Sequence, residues 1–119
     1  MLSSKVSEIM TTQLVTAPSS SSVHDAIKIM MANDVGRIVV TENEVPVGIF
    51  TERHVLRRIA NSKLDIKKTC VDDVMSTPIH AVAAETGIVD ALSEMYRGNI
   101  RHLLVRGRHG KIDGIVSMR

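Results

Sequence analysis

The chain is written twice, and that repeat limits its possible folds more than any other property. VSEIMTT at Val6–Thr12 overlays VDDVMST at Val71–Thr77 at a shift of 65, and Asp25, Ala26, Met30 and Val40 fall on Asp90, Ala91, Met95 and Val105. One extra residue in the second copy raises the shift to 66, so GIFT at Gly48–Thr51 falls on GIVS at Gly114–Ser117. Within 119 residues neither copy is large enough to hold a core alone. The two are therefore expected to bury their apolar faces together about a pseudo-twofold axis, with ligand sites in the clefts between them.

Hydrophobic periodicity orders the elements alike in both copies. Val23, Ala26, Ile27, Met30 and Met31 recur at i, i+3, i+4, i+7 and i+8, as do Ile88, Ala91, Leu92, Met95 and Tyr96, so each copy should carry one amphipathic helix with a single buried stripe. Ser22 and Thr86 stand at N-cap positions. Short β-branched runs flank the helices: Leu14–Thr16, Ile38–Thr41 and Val45–Phe50 in the first copy, Ile79–Val82, Leu103–Val105 and Lys111–Val116 in the second. TENEVP and RGRHGK read as hairpin loops. Thr51 is placed to cap a further helix with an apolar stripe of Val55, Leu56, Ile59 and Ala60. The expected fold is α/β: a β-α-β-β-α unit over residues 1–61, a polar connector over 62–69, and over 70–119 a second copy without its final helix.

Composition narrows the function. Hydrophobic residues are 44% of the chain while Phe50 and Tyr96 are its only aromatics, so the core is aliphatic and little surface exists for stacking bases. Met10, Met30, Met31 and Met75 read as core filler. Cys70 is the single cysteine, which excludes an intrachain disulfide and fits a reducing compartment. The opening MLSSKVSEIM lacks a basic region followed by a long apolar run, and no stretch is long and apolar enough to span a bilayer, so a cytoplasmic protein without membrane contact is expected. Five scattered histidines show neither zinc spacing nor a nucleophile, base and orienter set, which argues against an enzyme. Net charge is only +2, yet Arg97, Arg101, Arg106, Arg108 and Lys111 share an acid-free window with His102 and His109.

The doubled IMTT and VMST openings, the Ala-Ile-x-x-Met and Ala-Leu-x-x-Met helix cores, IRHLLV at Ile100–Val105 and the GIFT and GIVS strand ends occur in one order, twice. In that order they resemble the CBS-domain pair, or Bateman module, from Val6 to Arg119. The resemblance implies a regulatory, non-catalytic unit that senses an adenosyl ligand (AMP, ADP, ATP or S-adenosylmethionine) without an obligatory cofactor. It also implies a homodimer that signals to a regulated protein, which the sequence does not name, by population shift.

Carried over residue by residue, the resemblance assigns one ligand set to Thr12, Val15, Val35, Gly36, Arg37, Thr51 and His54, with His102 reaching across from the other repeat. A second set comprises Thr77, His80, Ile100, Arg101 and Ser117, with Arg37 reaching across. Arg37, Arg101 and His102 open the middle strands, where family members place cations facing phosphates, a role suited to guanidinium and imidazolium groups. Three residues beyond the Thr or Ser of the GIFT phrase, the family places an Asp that accepts from both ribose hydroxyls. Here that position is His54, whose neutral ring offers one acceptor; the change is expected to weaken ribose recognition by roughly 1.5 to 3 kcal/mol. The second copy keeps Ser117 and stops at Arg119, one residue before the equivalent position.

His54 is open to three readings: an exposed residue of the first helical turn filling a degenerate pocket, a ring facing phosphate, or a metal ligand. Thr51 and Ser117 can also serve as plain N-caps. Two further functions stay open for the chain. One is a ligand-free dimerisation scaffold with degenerate pockets. The other is a nucleic-acid accessory protein, which rests on the basic cluster alone and lacks the broad stripe or stacking aromatics such proteins use.

Overall fold

The computed structural model describes residues 4–118; the first three residues and Arg119, where the second phrase stops, lie outside the described residues. The chain forms two compact units, Val15–Ile79 and, as the second, Met1–Leu14 together with His80–Arg119.

In the first unit, β1 (Thr16–Pro18) is followed by α1 (Val23–Asn33), β2 (Arg37–Glu42) and β3 (Val45–Thr51). Strands β1 and β2 run parallel, which requires the helical crossover, and β2 and β3 run antiparallel, in the order β1-β2-β3. Ser22 caps α1 by accepting from the Asp25 N–H at 3.0 Å. Asp34 ends the helix in the left-handed region with φ 52°. Asn43 and Glu44, at φ 51° and 66°, turn the hairpin with the positive φ values that a two-residue connection demands. Thr51 starts a short helix, α2 (Glu52–His54), that continues as a π-helical turn over Val55–Ile59.

The second unit repeats the pattern with β4 (Ala81–Ala83), α3 (Ile88–Gly98), β5 (His102–Arg106) and β6 (Ile112–Ser117), ordered β4-β5-β6. Asn99 closes α3 at φ 50°, as Asp34 closes α1. Both hairpins carry a register shift at the same place, after Val40 and after Val105.

The opening segment of each copy packs in the unit formed by the other copy. Val6 is fully buried among Val82, Met95, Leu103, Val105 and Val116, while Val71 and Val74 join Ala17, Val23, Ile38, Val40 and Phe50. Each segment adds an isolated antiparallel bridge beside the last strand, Thr11 to Ile115 and Ser76 to Ile49. The glycine of the GIFT and GIVS phrases makes room for this packing. A Cβ on Gly48 would lie 2.3 Å from Met75 Sδ, and one on Gly114 would lie 2.5 Å from Met10 Sδ.

Several expectations are corrected in detail. Strands β1 and β4 begin at Thr16 and Ala81, two residues after Leu14 and Ile79. Gly87, not Thr86, is the N-cap of α3 and has no side chain to bond with; the Thr86 N–H and C=O are engaged with Ala83 and Val6 instead. The helical stripes are narrower than their periodicity: Met30, Ala91 and Met95 are buried, but Met31 is 75% and Tyr96 84% exposed. After β3 only Ile59 of the expected stripe is buried and Leu56 is 74% exposed, because a π-helical turn rotates side chains away from the 3.6-residue spacing.

Candidate functional site

Each unit brings its share of the expected site residues to one end of its sheet. In the first unit, Arg37 pairs with Thr51 across β2 and β3. The Glu52 N–H donates to Gly36 O at 3.0 Å and the Val39 N–H donates to Val15 O at 2.9 Å. In the second unit, His102 pairs with Ser117, the Met118 N–H donates to Arg101 O and the Leu104 N–H to His80 O, both at 2.8 Å. Position for position, Val15, Gly36, Arg37 and Thr51 are thus matched by His80, Arg101, His102 and Ser117. Val35 and Ile100 are also equivalent: their N–H groups donate to Met30 O and Met95 O, at the ends of α1 and α3.

The side chains on these matched backbones differ. Arg101 and His80 are exposed, His102 is half-buried, and Ser117 Oγ is buried without a hydrogen-bond partner. A buried hydroxyl in that state carries a desolvation cost of about 1 to 3 kcal/mol. In the first unit Gly36 offers no side chain at the place of Arg101, and the Glu52 carboxyl carbon lies 3.0 Å from where a Cβ would stand. The Thr51 hydroxyl accepts from the His54 N–H at 3.3 Å.

His54 is buried, at 9% exposure, which corrects the reading of an exposed first-turn residue. Its Nδ1 accepts from the Thr51 N–H at 3.0 Å, so the two residues cap each other as a Thr and Glu do in a capping box. A backbone N–H can only donate, which leaves the ring proton on Nε2, and Nε2–H donates to Ser76 Oγ at 2.7 Å. The ring also packs on Phe50, with centroids 5.8 Å apart. Both nitrogens are thereby engaged within the unit.

Thr12 and Thr77 are exposed and follow the bridge residues Thr11 and Ser76 of the two opening segments. Ser76 was not singled out by sequence; its signal was the hydroxyl residue at the third place of both IMTT and VMST. Arg58 was missed as well. Its Nη1 donates to Val74 O at 2.8 Å and to Met75 O at 3.0 Å. Among the described residues no group of three or more His, Cys, Asp or Glu could hold a metal ion, and no helix is long and apolar enough to cross a membrane.

This doubled unit is the architecture of a CBS pair, a class of regulatory nucleotide-sensing modules. The CBS domain family matches residues 6–61 and again 71–119, and the chain belongs to it. It is 33% identical over 120 residues to an uncharacterized 17.7 kDa protein of Acidianus ambivalens, covering 99% of this chain and 71% of that protein. It is 31% identical to the CBS domain-containing protein CBSCBSPB1 of Arabidopsis thaliana over 84% of its own length, and spans 19% of that protein. Among solved structures it resembles the CBS domain protein PAE2072 of Pyrobaculum aerophilum, complexed with AMP. The TM-score is 0.80 and the identity 27%, over 96% of this chain and 87% of that one.

Proposed function

We propose that the chain is a regulatory module that binds an adenosyl nucleotide and passes its occupancy to a protein partner by a shift in conformation. The observation that carries this reading is Ser117 Oγ, a buried hydroxyl without a partner, on a sheet end that also bears His80, Arg101 and His102. A ribose hydroxyl or phosphate oxygen would satisfy Ser117, and the Arg101 guanidinium favours a phosphate-bearing ligand. The likeness to an AMP-bound CBS protein supports AMP first, with ADP, ATP and S-adenosylmethionine as its competitors. In this reading the basic hairpin residues Arg106, Arg108 and Lys111, at the opposite end of the sheet, take no part, and nucleic acid is not a ligand.

Thermal denaturation in the presence of each nucleotide tests the proposal. At 100 times its dissociation constant the true ligand stabilises the protein by about 2.7 kcal/mol, and Ser117→Ala should remove most of that gain. If no adenosyl compound raises the melting temperature, the chain is a ligand-free scaffold, a reading favoured by the engagement of both His54 nitrogens.

The module is proposed to act as a homodimer in the cytoplasm. Leu92 and Tyr96 on α3, and Met31 and Leu56 in the first unit, are large apolar side chains at 44% exposure or more, the kind of surface a subunit contact would cover. Sedimentation at micromolar concentration should give twice the 13.0 kDa chain mass; a monomer alone would remove the dimer.

A further inference from the structure

The two hairpins are built alike and charged oppositely. Each has a register shift, after Val40 and after Val105, so that Thr41 pairs with Pro46 as Arg106 pairs with Ile112. The first loop carries Glu42 and Glu44, and no cation stands between Thr41 and Val47. The second carries Arg106, Arg108 and Lys111 with His109, against one acid, Asp113; three cations less one anion leave it at +2 with His109 neutral. By register Arg106 and Lys111 stand where Thr41 and Val45 stand, so a hairpin of this shape does not need cations at those places.

The cations have no partner within the unit. Arg106, Arg108, His109 and Lys111 are all exposed, and among the described residues none of their side chains forms an ion pair or a hydrogen bond. Asp113 does not answer them: its carboxylate lies over Gly107, where a side chain would stand. The tip is also held in one shape. The Gly107 N–H donates to Lys111 O at 2.8 Å, the Gly110 N–H to Gly107 O at 3.1 Å, and the Ala84 N–H to Arg106 O at 3.0 Å. Gly110 makes the turn at φ 76°, a conformation open to glycine without strain. A loop already ordered loses less freedom when it binds.

We propose that the Arg106–Lys111 hairpin is a docking surface for an acidic segment of a protein partner, one rich in Asp and Glu. The inference takes from the functional reading above only that the module has a protein partner, and the surface is separate from the nucleotide end of the sheet. Two guanidinium groups suit carboxylates, which they meet as planar forks. Nucleic acid fits less well, because three cations release few counterions and neither aromatic of the chain, Phe50 or Tyr96, lies on the hairpin to stack a base. A second copy offers only Glu42 and Glu44 from its own acidic hairpin, and isolated surface ion pairs contribute little.

A fluorescent peptide of alternating Glu and Gly, titrated into the full chain at low salt, should bind with an affinity that falls as salt is raised, and the same peptide with Gln for Glu should not bind. Arg106→Gln, Arg108→Gln and Lys111→Gln should each weaken the complex about two- to fivefold, and the triple variant should abolish measurable binding with an unchanged urea midpoint. Lys63→Gln, Lys67→Gln and Lys68→Gln together remove the same charge from another exposed stretch and should leave the affinity nearly as it was. No binding to the wild type, or equal losses in the two triple variants, overturns the docking surface. Peptide affinity that rises when Glu42 and Glu44 are changed to Gln gives the surface to a second copy, and a single-stranded DNA that binds more tightly than the peptide gives it to nucleic acid; either overturns the acidic partner. AMP affinity in the triple hairpin variant should match the wild type, and its loss together with the peptide overturns the separation of the two surfaces. Wild type that takes the peptide but no adenosyl compound removes the nucleotide reading and upholds the docking surface.

Discussion

The two sheet ends share one backbone and differ in how their polar groups are satisfied. Gly36 and Arg37 pair off against Glu52 and Thr51 as Arg101 and His102 pair off against Met118 and Ser117. Yet the Thr51 hydroxyl is held by the His54 N–H while Ser117 Oγ has no partner. A ladder of hydrogen bonds shared by the two sheet ends thus sets where a side chain stands, and the residues that follow the strand decide how its oxygen is engaged. In the first unit the helical turn uses that oxygen as a cap. In the second unit the same end of the sheet bears Arg101 and leaves the buried Ser117 hydroxyl without a partner.

The largest expected difference between the units lies in their cores. Phe50 and Val116 occupy equivalent strand positions, and Phe50 is fully buried while Val116 is 7% exposed. Phe50→Ala should cost about 3 to 5 kcal/mol and Val116→Ala about 1.5 to 2.5 kcal/mol, measured by urea denaturation. Equal losses would mean that the aromatic ring does not anchor the first unit.

Next come the two glycines under the methionines, where an added methyl group overpacks at a cost of about 1 to 3 kcal/mol. Gly114→Ala should fall at the upper end, because the new Cβ would also stand 2.9 Å from the Thr11 backbone oxygen, which cannot swing away. Gly48→Ala meets only the flexible Met75 side chain among its three nearest atoms, so Met75→Ala should rescue it. Met10→Ala should not rescue Gly114→Ala to the same extent; equal rescue would place the strain in the side chains at both sites.

Charge reversal separates the proposed ligand end of the second sheet from its hairpin end. Arg101→Glu should weaken AMP about tenfold or more, roughly the worth of one charge-assisted hydrogen bond, and Arg108→Glu should leave the affinity as it was. Titration calorimetry giving equal losses would point to general attraction by the basic surface and remove Arg101 from the site.

The smallest effect sharpens the comparison most directly. Thr51→Ala removes a cap and should destabilise by about 1 kcal/mol. Ser117→Ala removes a buried hydroxyl that bonds to nothing and should be neutral or slightly stabilising. Thermal melts of the two variants without ligand should therefore move in different directions or differ plainly in size, and a comparable loss for Ser117→Ala would show that its hydroxyl has a partner in solution.

Much of this was legible in the residues. The repeat, the order of elements, and the caps at Ser22 and Thr51 follow from patterns that span a few turns of chain, because a helix or a strand is chosen by neighbours close in sequence. The positions equivalent between the two sheet ends could also be read from the shifts of 65 and 66. The roles of the side chains could not. The sequence leaves His54, standing where an acid belongs, open to several readings, and only the fold, in which Ser76, 22 residues away, supplies a partner for its second nitrogen, makes it a buried cap.

The same holds for the exchange of opening segments, the π turn that exposes Leu56, and the Arg58 contacts with the carbonyls of Val74 and Met75. Periodicity says which face of an element is apolar, but it carries no information about which distant segment will cover that face or which carbonyl will be left in need of a donor. The methionine and glycine of each copy's phrases are visible in the sequence as separate marks. That Met75 belongs over Gly48 and Met10 over Gly114 is decided only when close packing admits a sulfur where a side chain has been left out.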